Sequence, residues 1–132
     1  MEDVVEQLFE EVKRGYQIHQ HLTDDILSAL NFVFQAPLLP SLDLIDHGKI
    51  THLVSPSGRS VYQVTGTTGV PYCCLASSDY CSCPAYTFSV LKRGDTIMCK
   101  HVLAIHLSEA MGLCKKQEVS NKELALLLRQ MD

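Results

Sequence analysis

The sequence predicts an α+β domain: a helical N-terminal segment, a small antiparallel β-sheet, a knuckle of paired cysteine and histidine residues, and C-terminal helices. Three observations lead there. Apolar residues recur at helical spacing through the first third of the chain. Runs rich in Val, Tyr and Thr then alternate around turn-forming Pro, Ser and Gly. Beyond them stand "CSC" and "CKH", two pairs each with one residue between its members, and a second set of helical patterns. At 132 residues a single globular domain is expected. Within it, residues 1–48 form the helical segment, 49–112 the knuckle region with its β-hairpin, and 113–132 the C-terminal helix.

Each element has a local reason. Val4, Val5, Leu8, Phe9 and Val12 line one face of a first helix, which Gly15 is expected to end. Thr23 can cap a second helix whose first turn holds Asp24 and Asp25, the charge sign that suits a helix start. Ile26, Leu27, Leu30, Phe32, Val33 and Phe34 give that helix a broad apolar surface. Pro37 and Pro40 interrupt the chain, and "SLDLIDHG" reads as a short third helix ending at Gly48. "KITHLVS" and "RSVYQVTG" around "PSGR" predict a hairpin, and "VPYCCLAS" a further strand after the turn from Gly66 to Gly69. Pro84 suits the start of a helix running to Leu91, with Gly94 at its end. His101 to Met111 forms another helix, apolar on most sides and therefore central. Ser120 and Glu123 have capping-box spacing ahead of "LALLL", the last helix.

Composition excludes several classes. With 46% hydrophobic and 20% charged residues the chain can bury a core and is not a disordered segment. No apolar run approaches about 18 residues, so no membrane span is expected. "MEDVVEQLFEEV" is acidic and amphipathic rather than a secretory leader, which leaves cytosol or nucleus as the expected compartment. Six cysteines in such a reducing compartment point to metal binding before disulfides. A formal net charge of −4 argues against a protein that grips nucleic acid alone by bulk electrostatics.

Cys81, Cys83, Cys99 and His101 carry the chemistry. A structural zinc ion takes four thiolate or imidazole ligands at tetrahedral corners. Cys81 and Cys83 flank Ser82 in a turn after a strand, where two thiolates can converge. Cys99 and His101 flank Lys100 at a helix entry, with Cys99 just outside the first turn and His101 inside it; deep in a helix, residues two apart point to nearly opposite sides. One zinc bound by all four leaves no open position for water, so the site is expected to be structural rather than hydrolytic. Loading three thiolates and a dication makes the chain one unit more negative than its formal −4. Such a site contributes on the order of 10 kcal/mol to folding in zinc-finger peptides. Cys73, Cys74 and Cys114 lack paired spacing and read as core residues, although Cys73 or Cys74 could replace a ligand and His106 could replace His101. His19, His21, His47 and His52 read as surface or turn residues.

A Cys-x-Cys pair followed by Cys-x-His resembles the SWIM zinc finger of several transposases, ubiquitin-ligase-related proteins and recombination factors. "CKHVLA", with Ala104 three residues after His101, matches the extended Cys-x-His-x-x-Ala form of one SWIM subfamily. Together with "SPSGRSVYQV", "CSCPAYTFSVL" and the chain length, it makes the sequence similar to the Shu-complex recombination subunits, from about Leu42 to Leu107 and more loosely beyond. That resemblance implies a non-catalytic nuclear protein with zinc on Cys81, Cys83, Cys99 and His101. It implies a heterodimer with a RecA-like recombinase paralogue and, through it, support of the strand-exchange recombinase on single-stranded DNA in homologous recombination and repair of DNA damage. Single-stranded DNA contact would be a property of the complex. Ala104 would be a small packing residue where its helix is crossed closely.

The remaining motifs agree with a non-enzyme. "TGTTG" lacks the Lys-Ser/Thr ending of a phosphate loop, and no G-x-S-x-G or H-E-x-x-H occurs. A seam for the partner is expected around Phe32 to Leu39, with Phe34 as its test position, and a second in "ELALLLRQM". The basic residues Arg59, Lys92, Arg93, Lys100, Lys115 and Lys116 are candidates for DNA contact, Lys92, Arg93 and Lys100 foremost. The alternative is a self-sufficient nucleic-acid-binding SWIM module of the transposase kind. A thiol redox enzyme would need an unligated, reactive cysteine pair at Cys81 and Cys83.

Overall fold

The computed structural model describes residues 2–66, 69, 71–75, 80–81 and 98–130. Among them the order is α1 (Glu2–His19), α2 (Asp24–Phe34), α3 (Leu38–Asp46), β1 (Ile50–Val54), β2 (Ser60–Thr65), β3 (Pro71–Leu75), β4 (Tyr80–Cys81), α4 (Lys100–Met111), β5 (Lys115–Glu118) and α5 (Asn121–Gln130). This is the α+β class that the sequence predicts. The expected helix from Pro84 to Gly94 lies outside the described residues. No helix among them is long and apolar enough to cross a membrane.

Gly15 does not end α1, which runs on to His19. A Cβ at Gly15 would stand 2.6 Å from Cδ1 of Ile26, so the glycine admits α2 rather than stopping α1. The Thr23 cap forms as expected, its Oγ1 accepting from the Ile26 amide at 3.3 Å. The third helix starts earlier than expected, at Leu38, with Pro37 as its N-cap. Pro40 is tolerated because it falls in the first turn, where its missing N–H has no intrahelical partner to lose.

The sheet order is β4-β3-β2-β1-β5. β1 to β4 pair antiparallel in succession; the turn signals account for β1, β2 and β3, whereas Cys81, expected in a turn, lies in β4. The antiparallel sheet expected from the sequence is nonetheless mixed, because Lys115–Glu118 adds to β1 in parallel, Thr51 opposite Lys115 and Val54 opposite Glu118. Its "KKQE" is exposed throughout and lacks the apolar alternation that marks a strand. Two lysines on this outer strand also discourage further edge pairing.

The strand period of two divides the buried residues between two cores. Ile50, Val64 and Cys74 join residues of α1 to α4 in the larger one. Leu53, Val61 and Cys73 join Leu124 of α5 in the smaller one. The sheet is thus covered by α1–α4 on one face and by α5 on the other. Helix α4 is central, as predicted: Val102, Leu103, Ala104, Ile105 and Leu107 are fully buried. It ends in a Schellman pattern, the Leu113 amide donating to the Ser108 carbonyl at 2.8 Å and the Gly112 amide to the Glu109 carbonyl at 3.2 Å. The pattern needs the left-handed conformation that Gly112 adopts at φ 70°. The α5 start is fixed by Ser120, whose Oγ accepts from the Glu123 amide at 3.0 Å, and by Asn121, whose Oδ1 accepts from the Ser57 amide in the β1–β2 turn at 3.1 Å.

Candidate metal centre

Helix α4 presents Cys99 and His101 together at one buried end. Cys99 is its N-cap in extended conformation, at φ −75° and ψ 166°, and His101 lies in its first turn. Both are 3% exposed. This is the arrangement in which residues two apart can serve one ion, and the free amides of a first helical turn favour a negative ligand beside them. The His101 ring lies against Tyr72 of β3, centroids 4.8 Å apart and planes inclined by 39°. An aromatic wall of this kind limits how the imidazole can turn.

Of the other expected pair, the backbone of Cys81 is described. Cys81 closes β4, where it pairs with Cys74 of β3, and β4 lies against α4. The thiol of Cys81 and all of Cys83 lie outside the described residues, as do Lys92 and Arg93. Among the described residues no group of three or more Cys, His, Asp or Glu could hold a metal ion. What is described fits a zinc site: a thiol and an imidazole buried at one helix end, with the Cys81 strand packed on the same helix.

The substitute ligands separate by position. Cys73 belongs to the α5 side of the sheet, and burial pushes its thiol pKa up. It is on the wrong face to join Cys99. Cys74 is fully buried on the α4 side, in the same core as Cys99. His106 stacks on Phe9 of α1, centroids 4.9 Å apart, while His101 meets Tyr72. Tyr72 was not singled out by motif reasoning, although the alternation in "PYCCL" places it on one face with Cys74.

A separate polar cluster surrounds Cys114. Burial pushes its thiol up to about 12, reinforced by a hydrogen bond to the Glu109 carboxylate and by the negative charge there. Tyr62 is likewise pushed up to about 12, first by burial and then by Glu109 and Cys114. Its ring stacks on His52, centroids 4.2 Å apart and planes within 6°. A thiol held neutral in this way is poorly suited to nucleophilic chemistry.

The chain is 46% identical to zinc finger SWIM domain-containing protein 7 of Danio rerio over 125 residues, 95% of this chain and 89% of the relative. It belongs to the zinc finger SWIM domain-containing protein 7 family. The Homo sapiens relative is also 46% identical over 125 residues, with the same coverage of 95% and 89%. The Dictyostelium discoideum homologue is 36% identical over 122 residues, 92% of this chain and 75% of that protein. No family model and no solved structure matches. Membership of the SWIM protein 7 family agrees with the SWIM resemblance carried by "CSC" and "CKHVLA". Of that pattern, Cys99 is the N-cap of α4 and His101 and Ala104 lie within it, the most buried of the described helices.

Proposed function

We propose that this chain is a non-catalytic, zinc-bound nuclear subunit that pairs with a RecA-like recombinase paralogue and supports recombinase filaments on single-stranded DNA during homologous recombination. The observation that carries the reading is the burial of Cys99 and His101 at the start of α4 in a chain of the SWIM protein 7 family. Cys81, Cys83, Cys99 and His101 would hold one zinc ion, which supplies a cross-link between the β4 edge and α4 rather than a reactive centre. The protein's own residues then do the structural work: Cys99 and His101 fix the helix entry, Tyr72 orients the imidazole, and Ala104 lets neighbouring elements approach α4. With four protein ligands the ion has no open position for substrate, which supports the absence of catalysis.

The test is zinc content, circular dichroism and complex formation for the full chain, alone and co-expressed with a RecA-like paralogue, comparing wild type with Cys83→Ser and Cys99→Ser. One zinc per wild-type chain is expected, with metal, fold and pairing lost together in both variants. Variants that stayed folded and paired without metal would overturn the zinc role. Salt-dependent binding of single-stranded DNA by the isolated chain, lost on neutralising Lys92, Arg93 and Lys100, would favour the self-sufficient nucleic-acid module instead.

A further inference from the structure

We propose that the corner between the end of α2 and the start of α3 is the docking surface for a protein partner that offers an apolar pocket rimmed by lysine or arginine. The inference rests on the pairing reading above and adds where the RecA-like partner binds and what its contact face must carry. Phe32 is 83% exposed and Leu39 74%, the two highest values among the exposed large hydrophobic residues described. They stand on either side of one short link. Scattered exposed apolar residues need no explanation, but two of this size at one corner do.

The corner is built rather than frayed. Phe34 and Leu38, which border the link, are 4% and 2% exposed and belong to the larger core. The Gln35 amide donates to the Asn31 carbonyl at 3.0 Å, Leu38 to Gln35 at 3.1 Å and Ser41 to Pro37 at 3.0 Å. Phe34, expected as the seam's test position, is therefore a core residue, and Phe32 takes its place. A backbone held this way displays Phe32 and Leu39 with little ordering cost on binding.

Charge decides the occupant. From Gly15 to Gly48 the chain has no lysine or arginine, and exposed Asp43 and Asp46 follow Leu39 by one and two turns along α3. Phe9 of α1 stacks on Phe34 at 5.7 Å, so the half of α1 bearing exposed Glu6 and Glu10 runs beside the same corner. Among the described residues His47 stands 3.4 Å from Asp43. The nearest cations lie away from the corner: Lys115 beside Gly48 past the end of α3, and Lys13 and Arg14 one turn beyond Glu10, towards the start of α2. A second copy of this chain would bring acidic rim against acidic rim in a two-fold contact. An anionic membrane surface would be repelled in the same way. An apolar centre with a basic rim on the partner satisfies both parts of the surface.

The test uses the purified full-length, zinc-loaded chain and the purified RecA-like paralogues of the same organism, with affinity by calorimetry and self-association by sedimentation. The variants are Phe32→Ser/Leu39→Ser and, separately, Asp43→Asn/Asp46→Asn, with zinc content and circular dichroism checked for each. Because all four residues are exposed, the folds should match wild type. The apolar variant should weaken pairing about 30-fold or more, the scale of a hot-spot loss. The charge variant should slow association and flatten its salt dependence while leaving dissociation nearly unchanged. Wild-type affinity in both variants would overturn the surface and leave the pairing reading standing. No binding of any paralogue by wild type would overturn pairing and surface together. Self-association of wild type, or binding to phosphatidylserine vesicles, abolished by Phe32→Ser/Leu39→Ser would assign the corner to another occupant and overturn the proposal.

Discussion

Gly15 sets how closely α1 and α2 approach, because any side chain there meets the terminal carbon of Ile26. The position opposes two effects of similar size. Alanine in a helix interior gains about 1 kcal/mol over glycine, whereas forcing an extra methyl into a filled space costs about 1–3 kcal/mol. Since the obstructing atom is the flexible end of a side chain, Gly15→Ala should leave stability within about 1 kcal/mol of wild type in urea melts. In an Ile26→Val background, which removes Cδ1, the same substitution should stabilise by about 1 kcal/mol. The Cys114 cluster makes a second prediction at this scale. Cys114 and Tyr62 ordinarily titrate near 9 and 10, and both are raised to about 12 in the fold. The folded state therefore keeps protons that the unfolded chain releases, so this contribution is intact below pH 9 and is lost as pH rises towards 12. Thermal melts of Cys114→Ala/Tyr62→Phe should lose less Tm than wild type between pH 9 and pH 11.

Among the elements, α4 and α5 show what local chemistry announces and what it leaves to tertiary context. Ser120→Ala should cost about 1 kcal/mol by removing the acceptor of the Glu123 amide, read from a denaturant midpoint shift without a change in slope. Ala104 is fully buried on α4, so Ala104→Leu should destabilise by about 1–3 kcal/mol through overpacking. Elements of this sort were legible because their signals are local: the Thr23 cap, the "PSGR" turn, the "SNKE" start and the all-round apolar α4 each follow from neighbours in sequence. Strand β5 was not legible, since "KKQE" owes its conformation to the open edge of β1 rather than to its own pattern. Gly15 reads locally as a helix end for the same reason, its partner Ile26 being on another helix. At the candidate centre, the one-residue spacing of Cys99 and His101 already required a helix entry, which α4 provides. Tyr72 carries no motif signal, and the sequence does not distinguish Cys74 from Cys73, because strand alternation alone does not say which face meets α4.

Among the described residues two unequal cores follow, and they can be probed independently. Leu124 is 1% exposed and anchors α5 to Leu53, Val61 and Cys73. Leu124→Ala should therefore cost about 2–5 kcal/mol, while Leu39→Ala, exposed to solvent, should stay within about 0.5 kcal/mol in the same chemical-denaturation assay. Such a contrast would separate residues that hold the fold from those free to meet a partner. The sheet order also has a consequence for how the chain comes to be folded. Strand β1 finds its parallel neighbour only after β2, β3, β4 and α4 have been added, because Lys115–Glu118 comes late in the chain. During synthesis on a ribosome, the backbone groups on that side of β1 must wait, unpaired, until the segment beyond Gly112 has left the exit tunnel. For that interval the nascent chain carries a bare strand edge beside an unfinished core, the condition under which chains pair with one another instead of with themselves.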